Sequence, residues 1–206
     1  MKIYEFEQGT EEWKEVRRLK LTASHGTEIG NNGKGLVTYV AKKVLDAIVE
    51  PEEINTKDME RGNILEPIAR SVYEFEKGVV VREVGFIEYN EYSGYSPDGL
   101  IEQDYLGEGK GLIEIKARNN AKHLALLLGG LTDSSVRWQM QLGMLMTGRK
   151  WCDFISYNPN FKQSLFVKRF YVDEKAQEKL RVGLESGIKM LKEQLQNKIV
   201  VQELNN

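Results

Sequence analysis

A chain of 206 residues, 41% hydrophobic and 29% charged, has the composition of a globular protein with a substantial core rather than of a disordered one. Its 29 basic and 31 acidic side chains leave a formal charge of −2, so any binding to nucleic acid must come from local patches and not from a basic coat. The length suits one domain, residues 1–206, and with neither a leader pattern at the N-terminus nor a long uncharged stretch the expectation is a soluble cytoplasmic protein with no membrane contact.

Taken in chain order, Thr10 is placed to cap a helix that opens on Glu11 and Glu12 and closes on Arg17, Arg18 and Lys20, the polarity a helix dipole favours. "LTAS" (21–24) breaks that helix, Ser24 is a candidate cap for a short turn, and "GNNGKG" (30–35) reads as a flexible loop. Val40, Val44 and Ile48 predict a helix over about 36–49, ending before Pro51. A third helix is expected over 63–77, with Ile64, Ile68 and Val72 as one stripe and Leu65, Ala69 and Tyr73 beside it. Because proline is tolerated near a helix start, Pro67 argues for a start at Asn63 or slightly later.

Segments 79–89, 96–100 (a turn followed by strand) and 111–117 predict a three-stranded antiparallel meander. Helices near 119–128 and 133–147, strands at 151–157 and 164–172, and a closing helix over about 173–197 complete the reading. In that last helix Leu180, Leu184, Ile188, Leu191 and Leu195 form an apolar stripe suited to packing on the chain's own core. The fold class is α/β, a central mixed sheet flanked by helices. Cys152 has neither a disulfide partner nor the neighbours of a zinc site and reads as a small buried residue. The basic clusters at 17–20, 42–43, 116–123, 149–150 and 168–169 read singly as solvated faces.

The strand "GLIEIKA" (111–117) carries the chemistry. Alternation puts Leu112, Glu114 and Lys116 on one face and Ile113, Ile115 and Ala117 on the other. The second face is wholly apolar, which suits a strand inside a sheet whose charged pair looks into a cleft. Alone, such a pair is ordinarily a wetted face, and Asp98 in "SPDGL" is ordinarily a turn residue. Together they match Pro-Asp, a gap, then Glu-x-Lys, the arrangement of metal-dependent nucleases. Two carboxylates about 4 Å apart repel by roughly 4 kcal/mol at an effective dielectric near 20, so holding them together calls for a cation. Hard oxygens select Mg²⁺ or Mn²⁺. Such an ion stabilises charge on a phosphodiester in its transition state and acidifies a bound water.

Four segments in order, "EQGTEEWKEVRRLKLTAS" (7–24), "RGNILEPIAR" (61–70), "SPDGL…GLIEIKAR" (96–118) and "WQMQLGMLMTGRKWCDFISYNP" (138–159), resemble the phage lambda-type exonucleases, the YqaJ-like viral recombinases of the PD-(D/E)XK superfamily. The resemblance implies a restriction-endonuclease-like core in which Asp98, Glu114, the Ile115 carbonyl and Glu66 hold Mg²⁺, Mn²⁺ substituting, while Lys116 activates water and Gln141 orients substrate or water. Gln139 lies on a different helical face and is the less favoured glutamine. Glu66 also reads as an i,i+4 partner of Arg70, and Arg17 as a helix-terminal charge. The resemblance instead assigns Arg17 and Ser24 to the 5′-phosphate of a DNA end, for which the guanidinium fork is suited. Met59 is a candidate wedge between terminal bases or a core methionine. The implied activity is 5′-to-3′ exonuclease digestion of double-stranded DNA ends to 5′-mononucleotides, leaving 3′ tails. The same source implies a homotrimer, a phage single-strand annealing protein as partner, and a role in phage or prophage recombination in the bacterial cytoplasm. The alternatives are an endonuclease of the same superfamily and a noncatalytic DNA-end-binding module.

Overall fold

The computed structural model describes residues 1–49, 56–130 and 133–204. A short strand β1 (Lys2–Tyr4) precedes helix α1 (Glu11–Arg17), and the Thr10 hydroxyl accepts from the Trp13 amide as the cap expected there. Strand β2 (Leu21–Thr22) leads through a single 3-10 turn, 23–25, into α2 (Gly26–Asn31) and α3 (Lys34–Asp46). The predicted loop 30–35 is therefore almost wholly helical. Asn32, at φ 46, and Gly33 make the whole connection. Gly30 serves packing: a Cβ there would lie 2.6 Å from the Trp138 ring. Ser24 falls inside the 3-10 turn, so it is not a cap.

Helix α4 (Lys57–Lys77) begins six residues before the predicted Asn63, capped by Thr56, and carries Pro67 in its interior. That proline removes one backbone bond, and the helix is held on both sides of it by the core-packed Leu65, Ala69 and Tyr73 side chains. Of the two candidate stripes, Leu65, Ala69 and Tyr73 face the core, while Ile64 and Ile68 look outward.

The expected strand 79–89 divides in two. Strand β3 (Val81–Arg82) joins one sheet and β4 (Phe86–Asn90) another. Gly85 permits the switch: its amide bonds to the Tyr4 carbonyl, and a Cβ there would lie 2.2 Å from the Phe6 carbonyl oxygen. Strand β5 (Ser93–Tyr95), not predicted, hairpins onto β4 through an Asn90 side chain that accepts from the Tyr92 amide and the Ser93 hydroxyl. β1, β4, β5 and β2 make a small mixed sheet in that order.

The second sheet, in the order β3, β6 (Gly99–Ile101), β7 (Gly111–Lys116), β8 (Trp151–Tyr157) and β9 (Leu165–Tyr171), is mixed, with β7 and β8 parallel and the other pairs antiparallel. The predicted meander survives as β3–β6–β7. Helices α5 (Asn120–Gly129), α6 (Ser134–Thr147) and α7 (Glu174–Leu204) follow the predicted pattern, α7 running past the expected 197. The alternation read from β7 decides the layering: Leu112 enters the core cluster shared with α2, α3, α6 and α7, whereas Ile113 and Ile115 enter the one beneath α4. Leu180, Leu184 and Leu191 are buried in the first cluster, so the stripe on α7 is an internal one.

Two arginines from the predicted solvated clusters turn inward instead. Arg149 donates to the Ile101 and Gly111 carbonyls and pairs with Glu102 at 2.6 Å, closing the base of the β6–β7 hairpin. Arg169 grips Asp153 in β8 and Asp104 in the hairpin loop while lying 3.5 Å over the Trp151 ring. Both fix the hairpin that presents Asp98 to Glu114. No helix among the described residues is long and apolar enough to cross a membrane.

Candidate active site

The register of the hairpin pairs Gly99 with Ile113. Asp98, one residue before β6, therefore sits beside Glu114 and Ile115, and its Oδ2 accepts from the Ile115 amide at 2.6 Å. Glu114 is 0% exposed. The Tyr95 hydroxyl makes a long hydrogen bond to its Oε2, 3.4 Å, while Oε1 is ion-paired with Lys116 Nζ at 2.6 Å. In an extended strand the amide and carbonyl of one residue point to the same side. The Ile115 carbonyl thus shares the Asp98 side of β7, beyond the last β6 pair.

Glu66 reaches the same place from α4. Arg70, one turn on, donates to Glu66 Oε1 at 2.8 Å, to the Asp98 carbonyl at 3.1 Å, and pairs with Glu83 at 2.6 Å. It staples the helix to the turn that carries Asp98. Glu66 is thus the i,i+4 partner of Arg70, and it lies near enough to Asp98 and Glu114 to feel their charges.

The electrostatics follow from this crowding. Burial, the Asp98 and Glu114 charges against the opposing pull of Arg70, push Glu66 up to about 7. Burial raises Glu114 to about 7 as well, with Asp98 adding to it and Lys116 opposing. Asp98 is raised by burial against the pull of Lys116 and the Ile115 amide. Burial disfavours the Lys116 ammonium, yet Glu114 and Asp98 outweigh it and its pKa ends above the ordinary lysine value. Among the described residues no group of three or more His, Cys, Asp or Glu side chains closes around one point as a ready metal cage. Two adjacent hard carboxylates, one oxygen of Glu114 whose partner is the Lys116 ammonium alone, and a carbonyl on the same side make a donor set that fits Mg²⁺, which takes one or two protein carboxylates and fills its shell with water and phosphate oxygens.

Next to this, on the turn entering β6, Ser96 Oγ accepts from Arg17 Nη1 at 2.6 Å and from Trp13 Nε1 at 2.9 Å. The Arg17 guanidinium lies 4.0 Å over the Trp13 ring. Its pKa is held down to about 10, chiefly by burial, with the nearby Tyr39 opposing. The exposed Ser24 hydroxyl is 3.1 Å from Thr22 Oγ1, which in turn is 3.2 Å from the Tyr39 hydroxyl. Arg17 and Ser24 are therefore both linked to the surroundings of Tyr39, and Arg17 is anchored on Ser96, two residues before Asp98. Ser96 escaped the sequence reading because a serine before Pro-Asp looks like turn chemistry.

The sequence profile of the YqaJ-like viral recombinase domain matches residues 12–150. The chain belongs to this family. Among solved structures it is similar to an alkaline exonuclease, LHK-Exo, from Laribacter hongkongensis, at 32% identity and TM-score 0.83, over 95% of this chain and 100% of that one. The same exonuclease in complex with dAMP superposes at TM-score 0.82 with the same identity and coverage. A phage-related exonuclease from Haemophilus somnus 129PT shares the fold at TM-score 0.64 and 14% identity, over 87% of this chain and 96% of that one. No curated protein matches the chain. The core is that of the PD-(D/E)XK nucleases.

In this YqaJ-like domain one assigned residue lies elsewhere. Gln141 donates to the Tyr171 carbonyl at 2.7 Å and accepts from the Asp173 amide at 3.0 Å. Both ends of its amide are spent joining α6 to the β9–α7 corner, so it is a strut and not an active-site group. Gln139 shares a helical face with Gly143, whose Cβ, if present, would lie 2.9 Å from the Tyr95 ring. The half-buried Gln139 is thus the glutamine on the side of Tyr95 and Glu114. Met59 is 51% exposed in the first turn of α4 and is no core methionine. Cys152 is buried, as expected.

Proposed function

We propose that this protein is a Mg²⁺-dependent exonuclease, Mn²⁺ substituting, that digests double-stranded DNA from its 5′ ends to 5′-mononucleotides and leaves 3′ single-stranded tails for phage recombination. The observation that carries the reading is the adjacency of Asp98, Glu114 and Lys116 to the Arg17–Ser96 turn. A 5′-phosphate held at Arg17, Ser24 and Ser96 sets the first phosphodiester against the carboxylates, which makes chain-end cleavage from the 5′ side the natural outcome. The likeness to an alkaline exonuclease supports the exonuclease class, and the dAMP bound to that enzyme is in keeping with a mononucleotide product.

Asp98, Glu114, the Ile115 carbonyl and, through water, Glu66 would hold the ion. When bound, the ion supplies charge stabilisation for the pentavalent phosphate and acidity for a water. Lys116 holds the attacking water and the nonbridging phosphate oxygen, its ammonium kept charged by the two carboxylates. Arg70 keeps Glu66 and the Asp98 turn in register, and Gln139 is the side chain placed to orient the water or substrate. A homotrimer around the duplex, an annealing protein as partner, and action in the host cytoplasm belong to the same reading and rest on the family. Linear duplexes labelled separately at each 5′ and 3′ end, digested with and without Mg²⁺, test it. First release of the 5′ label, only with metal and with closed circles left intact, is the expected result. Cutting of closed circles would make it an endonuclease, and binding without metal-stimulated cleavage would make it an end-binding module.

A further inference from the structure

The strand order places three termini on one edge of the large sheet: the start of β6, the end of β7 and, because β8 runs parallel to β7, the end of β8. Along this edge lie Ser96 and Asp98 just before β6, Glu114 and Lys116 on β7, and residues 158–160 after β8. The Arg17–Ser96 pair is at the β6 end. At the β8 end is a concavity of about 480 Å³, formed by residues 118–121, residues 158–160 and, from α4, Arg61 and Leu65. Neighbouring strands are about 4.8 Å apart, so this pocket flanks the carboxylates on the side away from Arg17.

Its chemistry is mixed in a particular way. Leu65, Ala121 and Pro159 give apolar surface. The guanidinium of Arg118 is held at its mouth by Asp133, 3.0 Å, and Arg61 Nε is fixed on the Ala117 carbonyl at 3.0 Å. The pocket also receives the N-terminus of the ten-residue helix α5, capped by Asn119, and an amide cluster in which Asn120 Oδ1 accepts from both Asn158 and Asn160. Apolar walls with two guanidiniums, a helix N-terminus and oriented amides suit a nucleotide, with its flat base and anionic phosphate. The volume falls within the range of small-ligand sites.

We propose that this pocket binds the second nucleotide of the digested strand, taking the phosphate between nucleotides two and three while Arg17 holds the terminal one. The inference rests on the exonuclease reading and adds to it a second grip. With both neighbours held, the scissile phosphate is fixed from two sides and the shortened strand keeps a hold as each mononucleotide leaves.

Asn120→Asp is the decisive variant. It keeps the oxygen that Asn158 and Asn160 donate to, and a carboxylate in the first turn of a helix favours folding, yet it sets a negative charge where the phosphate would lie. Single-turnover digestion of 5′-phosphorylated duplexes is measured for parent and N120D, with either a native or a neutral methylphosphonate linkage between nucleotides two and three. The parent should slow about tenfold on the neutral linkage. N120D should slow by a similar factor on native DNA and lose less than about twofold more on the neutral one, since the contact is already gone. A parent indifferent to the neutral linkage, or two effects that multiply as a distant charge would make them, overturns the pocket. A parent that digests no duplex overturns the exonuclease reading itself.

Discussion

Glu114→Gln tests the electrostatic basis of the site without reference to DNA. Glu114 is wholly buried and its pKa is raised from 4.5 to about 7, by burial first and by Asp98 after the opposing pull of Lys116. A carboxyl that binds its proton more tightly folded than unfolded makes the native state hold more protons between those two values, so stability falls as pH rises from about 4.5 to about 7. At about 1.4 kcal/mol per pH unit, the interval in the Glu114 pKa bounds the cost of ionised Glu114 at about 3 kcal/mol above pH 7. Glutamine imitates the protonated form and escapes that cost. Urea unfolding in EDTA should show no difference between E114Q and the parent near pH 4.5, and E114Q more stable by up to about 3 kcal/mol at pH 8. Magnesium at about 100 times its dissociation constant should restore roughly 2.7 kcal/mol to the parent at pH 8 and nothing to the variant. Parallel stability curves for the two proteins between pH 4.5 and 8, or equal stabilisation by magnesium, would refute the reasoning.

Lys116→Ala should lower single-turnover cleavage at least about a hundredfold while leaving DNA binding and stabilisation by magnesium in place, as filter binding and melting in Mg²⁺ would show. Gln141→Ala breaks the bonds to Tyr171 and Asp173 and should cost about 2 kcal/mol of stability with cleavage per folded molecule unchanged, whereas Gln139→Ala should leave the melting temperature alone and slow cleavage about tenfold. Arg17→Ala should erase the preference for a 5′-phosphate over a 5′-hydroxyl, measured as the ratio of kcat/KM on the two ends. Gly183→Ala should destabilise by roughly 3 kcal/mol or more, because a Cβ there would lie 1.7 Å from the Ile29 carbonyl oxygen where α7 crosses α2; chemical denaturation would measure it.

What the sequence determined by itself is what short-range chemistry controls. The alternation in residues 112–117 set which face of β7 is apolar, Thr10 set the start of α1, and the residue types of Asp98, Glu114 and Lys116 set the chemistry available. Those signals act over one turn or one pleat, and the described structure kept them. Elements were misread wherever a distant partner decided the matter. Gly30 looks like a loop residue until Trp138, more than a hundred residues on, packs against it. Arg149 and Arg169 look like surface charge until the hairpin loop folds back over them. Gln139 and Gln141 are two residues apart in one helix, and only the packing of α6 between the β9–α7 corner and Tyr95 told them apart. The tertiary structure alone decided that Asp98 stands opposite Glu114, because hairpin register is a choice among pairings that differ by one residue. It also decided that Arg70 and Ser96 join the site, since an ion pair or hydrogen bond across tens of residues leaves no periodic trace in the chain.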